Sequence, residues 1–236
     1  MNAPEFYTVF ARLYDRLARV PGVGRLRRRL ATALAPAAGD TVLDVGCGTG
    51  ANHPHLRREI GPEGQYVGLD FSPGVLRIAH RREGGERRVF VRGDATRPPV
   101  PSGVPDAVCA SFLVGMLTEP AAAVRRWARL VGAGGRVALL NLSRAERLPW
   151  RVLNPAFRLF VRLGSPPGGA TERGVSPVER LERRVTAAHD ELTRLCETVT
   201  AERETVPRDS AALTRERGAF GFARLTAGTV RDPDEW

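Results

Sequence analysis

Residues 42–50 read VLDVGCGTG, and the run QYVGLDFS follows at 65–72 with Asp70 near its end. Val42, Leu43 and Val45 are the apolar positions of a short buried strand. Gly46, Gly48 and Gly50 let the next turn run tight against a ligand before a helix begins. The predicted order is strand, bare-backbone turn, helix.

On its own this turn is ambiguous. Gly46-x-Gly48-x-x-Ala51 also satisfies the loose dinucleotide fingerprint, with Asp70 where a ribose-binding acid stands. Asp44, two residues before the first glycine, is expected to place a carboxylate at the mouth of the same loop. A pyrophosphate there is repelled by about 1–4 kcal/mol at contact distance in a wet or partly wet site, whereas a ligand carrying an ammonium and a sulfonium is attracted. The expectation is therefore cationic S-adenosylmethionine rather than NAD.

Over residues 40–145 the chain resembles the class I S-adenosylmethionine-dependent methyltransferases. The resemblance rests on VLDVGCGTG, on QYVGLDFSP and on VFVRGDATRPP. It implies that Asp44, Gly46 and Gly48 lie along the methionine part of the cofactor and that Asp70 meets the two ribose hydroxyls. A carboxylate facing two hydroxyl donors is chemically apt. It further implies that Asp94, with Ala95 behind it, stands near the adenine amino group. Cys47 and Phe71 in the first two turns and Ser111 after the fourth strand complete the cofactor-side candidates, and no metal is implied.

The length of 236 residues suits a single α/β domain with a substantial core. We divide it into a helical lid (1–35), a cofactor-binding core (40–145) and substrate-side helices with the final strands (146–230). No apolar run of about 18 residues and no charged-then-apolar leader is visible, so the expected compartment is the cytoplasm. Cys47, Cys109 and Cys196 are odd in number and widely spaced, which argues against a disulfide framework or a zinc site.

A net charge of +10 ordinarily points to nucleic acid or an anionic membrane. Yet all 36 basic residues are arginine, as in a composition driven by GC-rich coding, so a solvated basic surface explains the charge without a polyanionic partner. No specific nucleic-acid partner is expected. The basic runs at Arg25 to Arg29 and Arg81 to Arg88 are candidate contacts with acidic surfaces.

Phe6, Val9, Phe10, Leu13, Leu17 and Val20 fall at helical spacing over 4–20, and a Pro-Gly break leads to a second helix at 25–35. Strands are predicted at 41–45, 65–70, 88–92, 106–112 and 136–142, alternating with helices. That alternation specifies a parallel sheet with helices on both faces. Ser72-Pro73 starts one helix, and Thr118 and Pro120 start another that Gly132 and Gly134 close. Ser176-Pro177-Val178-Glu179 is a capping box for a helix over 177–197, with Leu181, Val185, Ala188, Leu192 and Leu195 on its inner stripe. Two antiparallel strands, near 198–206 and within 219–230, would complete a seven-stranded, mostly parallel, Rossmann-like sheet behind the amino-terminal helical lid.

Methyl transfer from a sulfonium is an in-line displacement in which the cofactor carries the reactive group. The protein chiefly orients the reactants and excludes water. The residues best placed to face an acceptor follow strand four (Ser111, Phe112, Met116) and strand five (Asn141, Ser143, Arg144), with Tyr7, Tyr14 and Asp15 on the lid. Tyr14, Asn141 and Arg144 are the catalytic candidates: Tyr14 to orient an aromatic acceptor, Arg144 to stabilise a phenolate. Phe112 and Met116 fit a core role as well. His53 is a weaker candidate base, Cys47 fits a small packing role, and His80 and His189 read as surface residues.

Ala110-Ser111-Phe112-Leu113 stands where amino-base methyltransferases carry an Asn/Asp-Pro-Pro-aromatic tetrad, which lowers that substrate class. The runs FARLYDRL, GPEGQYVGLDFSPGVLRIA and VGAGGRVALLNL resemble the ubiquinone/menaquinone-type C-methyltransferases, implying a small, apolar or aromatic, quinone-like acceptor. The segment 150–163 interleaves Trp150, Val152, Leu153, Phe157, Leu159, Phe160, Val161 and Leu163 with arginines. It would suit a prenylated acceptor or a peripheral membrane contact, and a helix packed on the sheet explains it equally well. Phospholipid or secondary-metabolite N/O-methylation, and a noncatalytic cofactor-binding subunit, remain the alternatives.

Overall fold

The computed structural model describes residues 21–82, 86–145, 175–196, 213–218 and 222–232, together with the isolated positions 148, 152, 154 and 155. The first helix, α1 (Pro21–Leu34), starts four residues before the predicted one. Pro21 does not break it, because a proline in the first turn lacks only an N–H that has no intrahelical partner. Leu26, Leu30, Ala31 and Leu34 are its buried stripe. Its end is closed by Ala35 at φ +44° and by Arg136, whose guanidinium donates to the carbonyls of Leu34 and Ala33. A cation there also complements the negative end of the helix.

The core then alternates: β1 (Thr41–Val45), α2 (His53–Ile60), β2 (Gln65–Asp70), α3 (Pro73–Arg82), β3 (Arg88–Arg92), β4 (Ala107–Ser111), a 3-10 turn (Val114–Met116), α4 (Pro120–Val131) and β5 (Arg136–Leu142). After it come α5 (Pro177–Leu195), β6 (Thr214–Gly218) and β7 (Ala223–Thr229). The sheet order is β3-β2-β1-β4-β5-β7-β6. Strands β1 to β5 are mutually parallel, and β7 enters antiparallel to β5 with Leu139 opposite Thr226.

Both sheet faces are covered, so the central strands are buried on successive residues and largely apolar, rather than apolar only at alternate positions. Leu43, Val45, Val108, Ala110, Val137 and Leu139 point to α4 and α5, where Trp127 and Leu192 are fully buried. Their neighbours Val42, Ala107, Cys109, Ala138 and Leu140 point to α1, α2 and α3. Trp127 also donates its indole N–H to Ala95 O at 2.8 Å, pinning the loop after β3 onto α4.

Helix α5 carries the predicted capping box: Ser176 Oγ accepts from Glu179 N at 3.2 Å, and Glu179 Oε2 accepts from Ser176 N at 3.1 Å. It stops at Leu195 because Cys196 turns into an antiparallel bridge with Val230. The cap position of α4 is Glu119 rather than Thr118. Predicted strand 106–112 is shorter, since Phe112 leaves the sheet at φ +59°.

The strand expected at 198–206 and the lid helix at 4–20 lie outside the described residues. So does the segment 150–163, apart from exposed Val152 and the pair Asn154 and Pro155. Among the described residues, an unexpected strand occupies TRERG at 214–218 and pairs with β7 at the sheet edge. A polar edge strand carries no apolar alternation, so periodicity gives no sign of it.

Candidate cofactor site

Strand β1 lies between β2 and β4, and the helices that follow β1 and β4 cover opposite faces of the sheet. A crevice therefore opens at the carboxyl ends of these strands, where open α/β sheets take their ligands. It is a cleft of about 370 Å³, open to solvent and lined by Gly46, Gly48, Asp70, Phe71, Val75, Ser111, Leu113 and Met116.

One wall is the glycine turn. The N–H groups of Gly46 and Cys47 both donate to Leu69 O, at 2.7 and 2.9 Å, which folds the chain back over the end of β2. Gly46 sits at φ +68°, and a Cβ there would lie 2.9 Å from the Leu113 side chain. Position 46 thus needs glycine twice, for its backbone angle and for the leucine wall.

Asp70 ends β2 inside the cleft. Its Oδ2 accepts from Gly48 N at 3.0 Å and its Oδ1 from Ser72 N at 2.9 Å. Each oxygen keeps further acceptor capacity, so the carboxylate is held in place and still able to take two hydroxyl donors. Burial raises its pKa above the ordinary aspartate value, against the lowering effect of those N–H donors.

Asp44 is not at the mouth of the loop. It is fully buried, with Oδ2 accepting from Tyr66 Oη at 2.7 Å and Oδ1 from Asn52 Nδ2 at 2.9 Å and Cys109 Sγ at 3.5 Å. Burial raises its pKa as well. A guanidinium stands one amide away: Arg27 of α1, only 5% exposed, donates to Asn52 Oδ1 at 2.6 Å and to Ser111 Oγ at 2.8 Å and lies 5.2 Å over the Phe112 ring. The negative charge of Asp44 is therefore opposed inside the protein. The expected repulsion of a pyrophosphate cannot rest on it, and the carboxylate that lines the cleft is Asp70.

Arg27, Asn52 and Tyr66 were missed by sequence reasoning, which placed Arg27 in a solvated basic run. A signal existed: 27, 30, 31 and 34 share one helical face, so Arg27 belongs to the inward stripe of α1.

Phe71 and Ser111 line the cleft, and Met116, 44% exposed, borders it. Cys47 does not line it. Its thiol packs so closely on Gly68 that a Cβ there would lie 2.9 Å from Sγ, and burial raises its pKa well above the ordinary thiol value. That environment makes it a protonated packing group rather than a reactive one. Asp94 is exposed, its Oδ1 taken by Thr96 N at 2.7 Å and Thr96 Oγ1 at 2.9 Å, and neither it nor Ala95 lines the cleft.

Of the catalytic candidates, Tyr14 lies outside the described residues, as do Tyr7 and Asp15. Asn141 is buried on the α5 side, with Nδ2 3.2 Å from His189 Nε2, while His189 Nδ1 is 2.8 Å from Thr226 Oγ1. His189 is fully buried rather than on the surface. Arg144 is ion-paired with Glu182 of α5. Neither Asn141 nor Arg144 lines the cleft, and both side chains fasten β5 and its exit to α5 instead. His53 packs edge-on against Tyr66 with ring centroids 4.8 Å apart and is likewise absent from the cleft wall.

A methyltransferase domain model matches residues 43–139. Demethylmenaquinone methyltransferase of Mycobacterium marinum is 30% identical over 230 residues, 93% of this chain and 87% of that protein. Demethylmenaquinone methyltransferase of Clavibacter sepedonicus is 32% identical over 65% of this chain, and aklanonic acid methyltransferase DauC of Streptomyces sp. strain C5 is 34% identical over 61%. These last two matches span 62% and 66% of the relatives' own lengths. Among solved structures, a SAM-dependent methyltransferase from Aquifex aeolicus superposes with a TM-score of 0.61 at 16% identity, covering 98% of this chain and all of that one. The sheet order, the glycine turn and the relatives agree: the chain belongs to the class I S-adenosylmethionine-dependent methyltransferases. Within that family it is related to the demethylmenaquinone and ubiquinone/menaquinone C-methyltransferases.

The cleft fits the family's cofactor. Asp70, held by Gly48 N and Ser72 N with acceptor capacity left on both oxygens, could take two ribose hydroxyls, the glycine turn leaves room for close approach, and Phe71, Val75, Leu113 and Met116 provide apolar walls.

Proposed function

We propose that this protein transfers a methyl group from S-adenosylmethionine to a small apolar or aromatic acceptor of the quinone type. The observation that carries the proposal is the pairing, in one cleft, of a preset carboxylate at Asp70 with the apolar rim of Phe71, Leu113 and Met116. Named relatives that methylate demethylmenaquinone support the acceptor class.

The bound cofactor supplies an electrophilic methyl group. The chain's own part is to bind, orient and exclude water. Asp70 fixes the ribose, the glycine turn sets how near the cofactor lies to the backbone, and Met116 and Leu113 offer a flat acceptor ring an apolar seat. Arg144, already paired with Glu182, is assigned no role on a phenolate. Tyr14 is retained as the group that orients the acceptor.

A second reading is methylation of an oxygen on an aromatic secondary metabolite, favoured by the likeness to aklanonic acid methyltransferase and to nocamycin O-methyltransferase. One experiment tests both: incubation of purified protein and cell extract with methyl-labelled S-adenosylmethionine, followed by mass spectrometry. Label on a prenylated quinol carbon bears out the proposal, and label on an oxygen of a polar aromatic bears out the second reading. No labelled small molecule with wild type, or the same products with Asp70→Asn, refutes both.

A further inference from the structure

The cleft wall at Ser111 can be followed hydrogen by hydrogen. Arg27 Nη1 carries two hydrogens, directed to Asn52 Oδ1 at 2.6 Å and Ser111 Oγ at 2.8 Å. A guanidinium only donates, so Asn52 must turn its oxygen to Arg27 and its nitrogen away. The two hydrogens on Asn52 Nδ2 then go to Asp44 Oδ1 and to Ser111 Oγ, both at 2.9 Å. Asp44 can only accept when ionised, which locks the amide in the same sense.

Ser111 Oγ consequently accepts twice, which fills both of its lone pairs. Its own hydrogen can serve only as a donor, and no described protein group accepts it. Ser111 is 4% exposed, and it lines the cofactor cleft.

We propose that Arg27 is a positioning residue that fixes Ser111 as a hydrogen-bond donor to the α-carboxylate of the cofactor's amino-acid arm. The inference rests on the cofactor proposed above. With both lone pairs taken, the hydroxyl presents only its hydrogen to the cleft, which suits an acceptor such as the carboxylate, the cofactor's one anionic group, and not the ammonium or the sulfonium. Asp70, on the same cleft, is then left for the ribose. Asp44 serves the arrangement from behind, by orienting Asn52 and by offsetting the charge of Arg27.

Titration calorimetry of the full chain with two ligands tests this. S-adenosylhomocysteine and 5′-methylthioadenosine share the nucleoside and its sulfur, but the first alone carries the amino-acid arm. Arg27→Met and Ser111→Ala are each expected to weaken S-adenosylhomocysteine by roughly 10–100-fold, the span of one charge-assisted hydrogen bond, while methylthioadenosine changes by less than about twofold. The double variant should lose little more than the worse single one, and Ser111→Thr should restore affinity. Should Arg27→Met fail to fold, Arg27→Gln takes its place with the same selective loss expected. Equal weakening of both ligands, or of neither, overturns the assignment and leaves the cofactor proposal standing. Failure of wild type to bind either ligand overturns both.

Discussion

Asp70 holds its carboxylate in the cleft wall at 8% exposure, and burial outweighs the N–H groups of Ser72 and Gly48 to lift its pKa above 3.8. The sign follows from linkage: an acid whose native pKa exceeds its unfolded one favours folding below 3.8, and that contribution is lost as pH rises through the native value. At neutral pH ionised Asp70 is therefore a cost to the fold. Ligand binding has the opposite dependence, since only the ionised form offers acceptors to both ribose hydroxyls. Affinity for S-adenosylhomocysteine should be full above the raised pKa and fall as pH drops through it. Asp70→Asn should weaken binding by roughly 10–100-fold and flatten that acid limb, as calorimetry across pH would read. Asn141 belongs to a different economy of contacts. Asn141→Ala strips His189 Nε2 of its amide partner in a buried setting, and should lower unfolding free energy by about 1–3 kcal/mol in urea titration. Sequence reasoning picked out Asp70, Phe71 and Ser111 because chain position after a strand end fixes their place. It misjudged Asn141, Arg144 and Asp44 because the same strand-end logic does not say to which side of the sheet a side chain turns, nor what already occupies it.

Helix α5 shows how much of an element can be read from spacing alone. Its apolar stripe and its capping box are both local, and both are found as predicted, with Val185, Ala188, Leu192 and Leu195 buried. Ser176→Ala removes the acceptor for Glu179 N and should cost about 1 kcal/mol, measurable as a lower urea midpoint with unchanged slope. The polar residues on the inner face were harder to see. His189 joins β5 to β7 through Asn141 and Thr226, a link between positions 141, 189 and 226 that no window of sequence contains. Arg136 closing the end of α1 is of the same long-range kind, as is Arg27 beside Asn52 and Ser111. Strand β6 escaped for the contrary reason, because the run TRERG carries no apolar alternation to advertise.

Across the whole molecule, the parallel core was legible because its strands are short, mostly apolar runs that alternate with segments of helical periodicity bounded by Pro or Gly. Binding should be felt by that core as a unit. With S-adenosylhomocysteine at about a hundredfold over its Kd, mass action stabilises the folded state by roughly 2.7 kcal/mol, which a thermal melt would register as a concentration-dependent rise in Tm. The sheet order adds a constraint of its own. Strand β6 is made before β7, yet β7 occupies the place between it and the rest of the sheet. During synthesis residues 214–218 must wait, unpaired, for a hairpin partner that leaves the ribosome later. In the finished protein the two strands should come apart in the reverse sequence, so amide hydrogens of 214–218 are expected to exchange with deuterium sooner than those of 137–140.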